Sequence, residues 1–170
     1  MLKGIKMGLE TEDGLNATDS QSQYLLFILD EIVYAVEALH AKEIVEYSQV
    51  TKVPKMDPCV KGVTNIRGDI VPVIDLLERF GMGSTPIGTK TSIIVMSLMS
   101  KGEEIQMGVL IDEVYEVDDI KSVDLKDTPQ FGSKVDKNFI KNMGQYNKDY
   151  IPILDMKTIL DIDILSKPVK

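Results

Sequence analysis

Two stretches of this chain, VPVIDLLERF at 71–80 and IPILDMKTIL at 151–160, follow one pattern. In each, a proline stands second in a short apolar run, an aspartate ends the run, and a segment of helical period follows. Pro72 matches Pro152 and Asp75 matches Asp155, an offset of 80 residues. A second pair, YAVEALHAKEI at 34–44 and MGVLIDEVYEV at 107–117, aligns at an offset of 73, with Val36 on Val109, Glu43 on Glu116 and Ile44 on Val117. Two similar offsets in the same order are what a diverged duplication with altered loops leaves behind. The repeated runs are short, β-branched and bounded by turn residues, so they read as strands. Two related small β-barrels, each with a short helix, suit this pattern. Closing a sheet hides the edges that otherwise template aggregation, and the prolines fit edge or strand-start positions.

The rest of the chain fits that frame. Residues 1–22 are polar and rich in Gly, Ser, Thr and acids, and read as a mobile tail. YLLFILD and EIVYAVEAL read as strands across an Asp-Glu turn, and VTNIRG and IVPVID as two more across Arg67-Gly68. LLERFGM changes to helical period, with Asp75 as N-cap, Glu78 placed for a capping box and Gly81 as the stop. GMGSTPIGTK reads as a loop, TSIIVMSLM as a strand, SKGEE as a turn, and IQMGVLIDEVYEV as a strand that continues or bends. KDTPQFGSKVDKN is loop, YIPILD a strand, and MKTIL a short helix capped by Asp155. EALHAKEI stays ambiguous, since its propensity is helical and its neighbourhood extended.

Composition removes several function classes. Lys plus Arg number 19 against 27 Asp plus Glu, a net charge of −8. A nucleic-acid binder needs a basic footprint, and an anionic membrane surface would repel this chain. No apolar run approaches the roughly 20 residues that span a bilayer, so direct membrane insertion is not expected. The single cysteine, Cys59, has no internal disulfide partner, which suits a reducing cytoplasm.

The residues that could carry chemistry do not assemble into a motif. His40 is the only histidine and has no second ligand at metal spacing, so it reads as a surface or packing residue. Cys59 lacks a neighbouring base and reads as a small buried hydrophobe. Asp112, Glu113, Glu116, Asp118 and Asp119 lack the central glycine and spacing of a calcium loop, and read as a solvated edge. The glycines of GMGSTPIGTK lack the Gly-Lys-Ser/Thr ending of a phosphate loop. No cofactor is expected.

Asn65-Ile66-Arg67-Gly68 is the remaining feature. Gly68 permits a positive-φ turn, Asn65 can bond nearby backbone, and Arg67 projects five fixed donors from the tip. Aligning IKNMGQYNKDYIPIL by its Asn142 and Gly144 puts Met143 in the place of the arginine. A purely structural need should act on both halves, so Arg67 reads as serving a partner or an inter-barrel contact. The bland alternative is a surface arginine paired with a local acid. Such an exposed pair would contribute only about 0–1 kcal/mol; if Arg67 serves a partner, its replacement by alanine should change stability by about 0.5 kcal/mol at most, whereas unfolding of the variant would favour the structural alternative.

The run KGVTNIRGDIVPVIDL, with YAVEALHAKEIVE before it and YIPILDMKTIL near the end, resembles the CheW family of bacterial chemotaxis coupling proteins. The resemblance covers residues 23–162 and leaves 163–170 as a C-terminal tail. It implies a mainly β fold of two intertwined SH3-like five-stranded β-barrels with short helices, and no catalysis. It implies two partners: the regulatory domain of the histidine kinase CheA, and the cytoplasmic tip of methyl-accepting chemoreceptors, a helical hairpin. The chain would then be cytoplasmic and recruited to receptor arrays at the inner membrane. The family's Asn-x-Arg-Gly turn falls on Asn65, Arg67 and Gly68, and its receptor or kinase groove on Ala38, Ala41, Glu43, Gly62, Ser92 and Ile93. Ala35, Ser92 and Ala41 depart from the family's usual glycine, apolar and larger β-branched residues. A CheV-type adaptor would need a receiver domain after the matched region, where about eight residues follow. A hydrolase using the 112–119 acids would need them to converge.

Overall fold

The computed structural model describes residues 5–6, 21–129 and 134–165. Twelve strands form two sheets. They are β1 (Ile5–Lys6), β2 (Gln21–Leu29), β3 (Ile32–Glu37), β4 (Ala41–Glu46), β5 (Val60–Ile66), β6 (Asp69–Asp75), β7 (Ser92–Ser100), β8 (Glu103–Ile111), β9 (Glu113–Lys121), β10 (Leu125–Lys126), β11 (Ile140–Tyr146) and β12 (Asp149–Leu154). Three single-turn helices accompany them: α1 (Leu76–Arg79), α2 (Met156–Ile159) and α3 (Ile162–Leu165). One sheet runs β1-β4-β7-β8-β6-β5 and the other β10-β11-β12-β3-β2-β9. Each therefore has five longer strands and one two-residue edge strand. Most of residues 1–22 and all of 166–170 lie outside the described residues, although Gln21 and Ser22 already belong to β2. The C-terminal tail expected from 163 begins inside α3, where Leu165 is buried.

The duplication is visible in the pairing. In the first sheet β6 runs parallel to β8, with Val73 opposite Gly108. In the second, β12 runs parallel to β3, with Ile153 opposite Ala35. Adding 80 to Val73 gives Ile153, and subtracting 73 from Gly108 gives Ala35, so both offsets meet at one contact. The bulges repeat as well: β5 at Val60/Gly62 and β11 at Ile140/Asn142 differ by 80. Those in the β4–β7 and β9–β2 pairs fall at Ala41/Glu43 and Val114/Glu116. The halves are intertwined. The first sheet takes β4, β5 and β6 from the first half with β7 and β8 from the second, and the second sheet has the reverse mixture.

This exchange explains the continuous apolar runs. Strands buried on both faces lose the polar alternation of a one-sided sheet. Leu25, Phe27, Tyr34, Val36, Ile74, Ile94, Met96, Val109 and Ile111 share one large core between the sheets. Tyr24, Leu26, Ala35, Ile120, Ile151 and Ile153 form a private core on the far side of the second sheet. Ile66, Val71 and Val95, with Val73, Ile93 and Leu110, do the same for the first. Rings from both halves meet as Tyr34, Phe80 and Phe139, and the Arg79 guanidinium lies 4.7 Å from the Phe139 centroid.

Local chemistry sets the turns. Four two-residue hairpins carry positive φ at both central residues: Asp30-Glu31, Arg67-Gly68, Lys101-Gly102 and Asn147-Lys148. That is the type I′ requirement, the twist that suits antiparallel strands. Asp75 caps α1 by accepting from the Leu77 amide at 3.1 Å. The capping box expected with Glu78 does not form, because the Asp75 amide donates to the Cys59 carbonyl and Glu78 turns to Lys61 and Ser84. Asp155 caps α2 through the Thr158 amide. EALHAKEI resolves into a 3-10 turn at Ala38–His40 followed by β4.

Candidate functional site

The hairpin joining β5 and β6 carries the exposed tip. Asn65 Oδ1 accepts from the Gly68 amide at 3.0 Å, which locks the corner, while Arg67 sits at φ +53° and Gly68 at φ +88°. The locked turn sends the Arg67 side chain back across the mouth of the sheet to β4. Its Nε donates to Glu43 Oε1 and Oε2 at 3.2 and 3.0 Å. β4 and β5 lie at opposite ends of the five longer strands, so this contact shows the sheet curling until its ends meet. The two partners differ sharply in exposure: 57% for the Arg67 side chain and 6% for that of Glu43. The pairing with a local acid is therefore real, yet more than half of the Arg67 side chain stays exposed.

Val45, Glu46, Tyr47, Ser48, Asn65, Ile66 and Arg67 line an open groove of about 360 Å³ beside this tip. Ile70, opposite Asn65 in the ladder, is 75% exposed. Of the residues expected at the site, Ala41 and Glu43 stand on β4 and Ser92 and Ile93 on the neighbouring β7, but the ladder does not set them against one another: Ala41 is opposite Met96, Glu43 opposite Val95, and Ser92 and Ile93 opposite Glu46 and Val45. Ala38, Ala41, Glu43, Gly62, Ser92 and Ile93 are buried, and none of them lines this groove. Gly62, at φ +145°, is covered by backbone: a Cβ there would lie 2.0 Å from the Thr51 carbonyl oxygen. Asn65, Arg67 and Gly68 are exposed. Sequence reasoning missed Val45, Tyr47 and Ile70. The last was legible in the alternation of β6, where Val71 and Val73 point in and Ile70 out.

Aligning the second half on Met143 requires correction. Met143 pairs with Pro152, as Val63 pairs with Pro72, so the residue matching Arg67 is Asn147. The matching contact survives with a different donor. Glu116, the counterpart of Glu43, accepts from the Tyr146 hydroxyl, and β9 is thereby tied to β11.

The other candidates take structural positions. Cys59 is 1% exposed, and burial, with Asp57 beside it, pushes its thiol up to about 12. His40 Nε2 lies 3.6 Å from Glu37, which also receives Lys141. The acids at 112–119 do not converge. Asp112 accepts from the Asp30 amide, Glu113 faces Lys90 at 3.3 Å, and Asp118 accepts from the Asp119 amide. Among the described residues no group of three or more His, Cys, Asp or Glu could hold a metal ion, and no helix is long and apolar enough to cross a membrane. Asp75, fully buried, accepts from the Thr85 amide and hydroxyl at 2.8 and 2.6 Å and lies 3.5 Å from Lys61. Burial works against the Lys61 charge, but the Glu78 and Asp75 carboxylates outweigh it and hold its pKa above the ordinary value. This network fastens the 81–91 loop to the first sheet.

Comparison with known proteins places these features. The chain is 28% identical over 159 residues to the chemotaxis protein CheW of Klebsiella aerogenes, covering 94% of this chain and 93% of that protein. It is 29% identical to the chemotaxis protein CheW of Helicobacter pylori, at 91% and 92% coverage. Its fold resembles the crystal structure of the scaffolding protein TtCheW from Thermoanaerobacter tengcongensis, with TM-score 0.74 and 25% identity over 87% of this chain and 93% of that one. The family model for the CheW-like domain matches residues 23–163, and by that match the chain belongs to the CheW family.

Proposed function

We propose that this chain is a non-catalytic chemotaxis coupling protein that links chemoreceptor cytoplasmic tips to the regulatory domain of the kinase CheA. The observation that carries the reading is the Asn65–Gly68 hairpin, which holds a 57% exposed Arg67 side chain beside an open groove. Membership of the CheW family and likeness to a named scaffolding protein support it. A receptor helix can lay an apolar stripe along such a groove, against Val45, Tyr47 and Ile70, while Arg67 fixes its orientation. Single contacts of this kind are modest in area, so an array gains its stability from many linked contacts. Recruitment from the cytoplasm to receptor arrays follows from the same reading.

The test is binding of the purified chain to a receptor-tip fragment and to the CheA regulatory domain, separately. Both should bind, and Arg67→Ala should weaken the receptor fragment more than the kinase domain. Absence of binding to either fragment overturns the coupling role.

A further inference from the structure

The two halves differ at one sheet edge. In the first half, β4 does not end its sheet, because Ile5 and Lys6 pair with Ile44 and Glu43 as an added strand just past the bulge. The matching residues of β9, at the offset of 73, are Val117 and Glu116, which also follow a bulge. Among the described residues β9 pairs along one side only, with β2. On the outer face of β9 Tyr115 is 48% and Val117 41% exposed, and the Tyr115 ring meets the Tyr146 ring edge-on at 6.4 Å. Acids flank these apolar residues: Glu113, Asp118 and the exposed Asp119.

We propose that the edge of β9 that pairs with no strand among the described residues, at Tyr115–Asp118, accepts an added strand from another protein, an extended segment alternating aliphatic and cationic residues. An exposed edge offers unpaired backbone groups to a partner strand, and strand addition takes affinity from the ladder and specificity from alternate side chains. The strand already seen on the equivalent slot is Ile-Lys, opposite Ile44 and Glu43. Val117 and Glu116 repeat that pair of residue types, and the local acids favour a cationic occupant through electrostatic complementarity. Charges along an edge can also keep strands away. Acids that served only that purpose would not leave an exposed tyrosine and valine between them. Strand addition at β9 is independent of the coupling role.

The test is an amide-resolved NMR titration of the full chain with a capped peptide, Lys-Gly-Ile-Lys-Met-Gly, the sequence of residues 3–8. Saturable shifts centred on Tyr115–Asp118 are expected. The peptide with both lysines replaced by glutamate, and the peptide with isoleucine replaced by proline, should each bind at least about tenfold more weakly. The proline peptide keeps its charge but loses a ladder donor, so equal binding by it overturns strand addition in favour of plain charge attraction. Shifts confined to Glu43–Ile44, or none saturating by roughly 5 mM peptide, overturn it as well.

Discussion

Replacing Arg67 by alanine should cost more than its exposure suggests. An exposed ion pair contributes about 0–1 kcal/mol, and from sequence alone that was the expected ceiling. The structure changes the estimate, because the arginine's partner is buried: the Glu43 side chain is 6% exposed and held at 3.0 Å. Removing one member of a fully buried pair costs about 3–5 kcal/mol, and leaving a buried polar group without its partner about 1–3 kcal/mol. With one partner buried and the other 57% exposed, the cost falls between the limits, at about 1–2 kcal/mol. For a chain of this size that lowers Tm by about 2–8 °C. Urea unfolding of wild type, Arg67→Ala, Glu43→Ala and the double variant isolates the interaction. Arg67→Ala should cost at least about 1 kcal/mol less when it is made on top of Glu43→Ala than when it is made in wild type. Equal cost in both backgrounds would refute the reasoning, since the arginine would then act through something other than this carboxylate.

Gly62→Ala places a methyl 2.0 Å from the Thr51 carbonyl oxygen at a positive φ. It breaks the two 2.8 Å backbone bonds between Thr51 and Val63, so it should lose about 3 kcal/mol or more by urea unfolding. Lys148→Gly should instead stabilise by about 0.5–1 kcal/mol, since Lys148 holds φ +71° in a turn that favours glycine; an unchanged urea midpoint refutes it. The Cys59 thiol, raised by burial to about 12, keeps its proton in the folded chain while the unfolded thiol loses it from about pH 9 upward. Stability should therefore fall by up to about 1.4 kcal/mol per pH unit above that point. Cys59→Ala should lack this component in alkaline unfolding titrations.

The duplication was legible because it rests on apolar pattern and on two prolines and two aspartates whose positions are tied to strand starts and helix caps. The parallel contacts at Val73–Gly108 and Ile153–Ala35 reproduce the offsets read from sequence. Strand exchange between halves was not legible from the residues, because exchanging partners leaves local alternation unchanged; it came only as an implication of the family resemblance. β4 was ambiguous because Ala38, Leu39 and Ala41 carry helical propensity, and burial of Ala38 and Ala41 overrode it. The Met143 alignment failed for a related reason. Glycine is the residue expected at a tight turn, yet the hairpin turns on Asn147 and Lys148, two non-glycine residues in the left-handed region, while Gly144 lies inside β11. Burial of the expected groove residues was beyond reach, since alanine, serine and isoleucine occupy floors and rims alike.

The corrected alignment sharpens the case for Arg67. Both barrels close their mouths with a glutamate at the same place, Glu43 on β4 and Glu116 on β9. One carboxylate accepts from a guanidinium and the other from a tyrosine hydroxyl. What the closure needs is therefore a hydrogen-bond donor of sufficient reach, and a neutral donor meets that need in the second half. A charge is costly to bury and is favoured where it stays hydrated. The first half keeps a cation at this point with 57% of its side chain in solvent. The bond to Glu43 accounts for the donor. The exposed charge is the part closure does not require, and that is the part a docking partner can use.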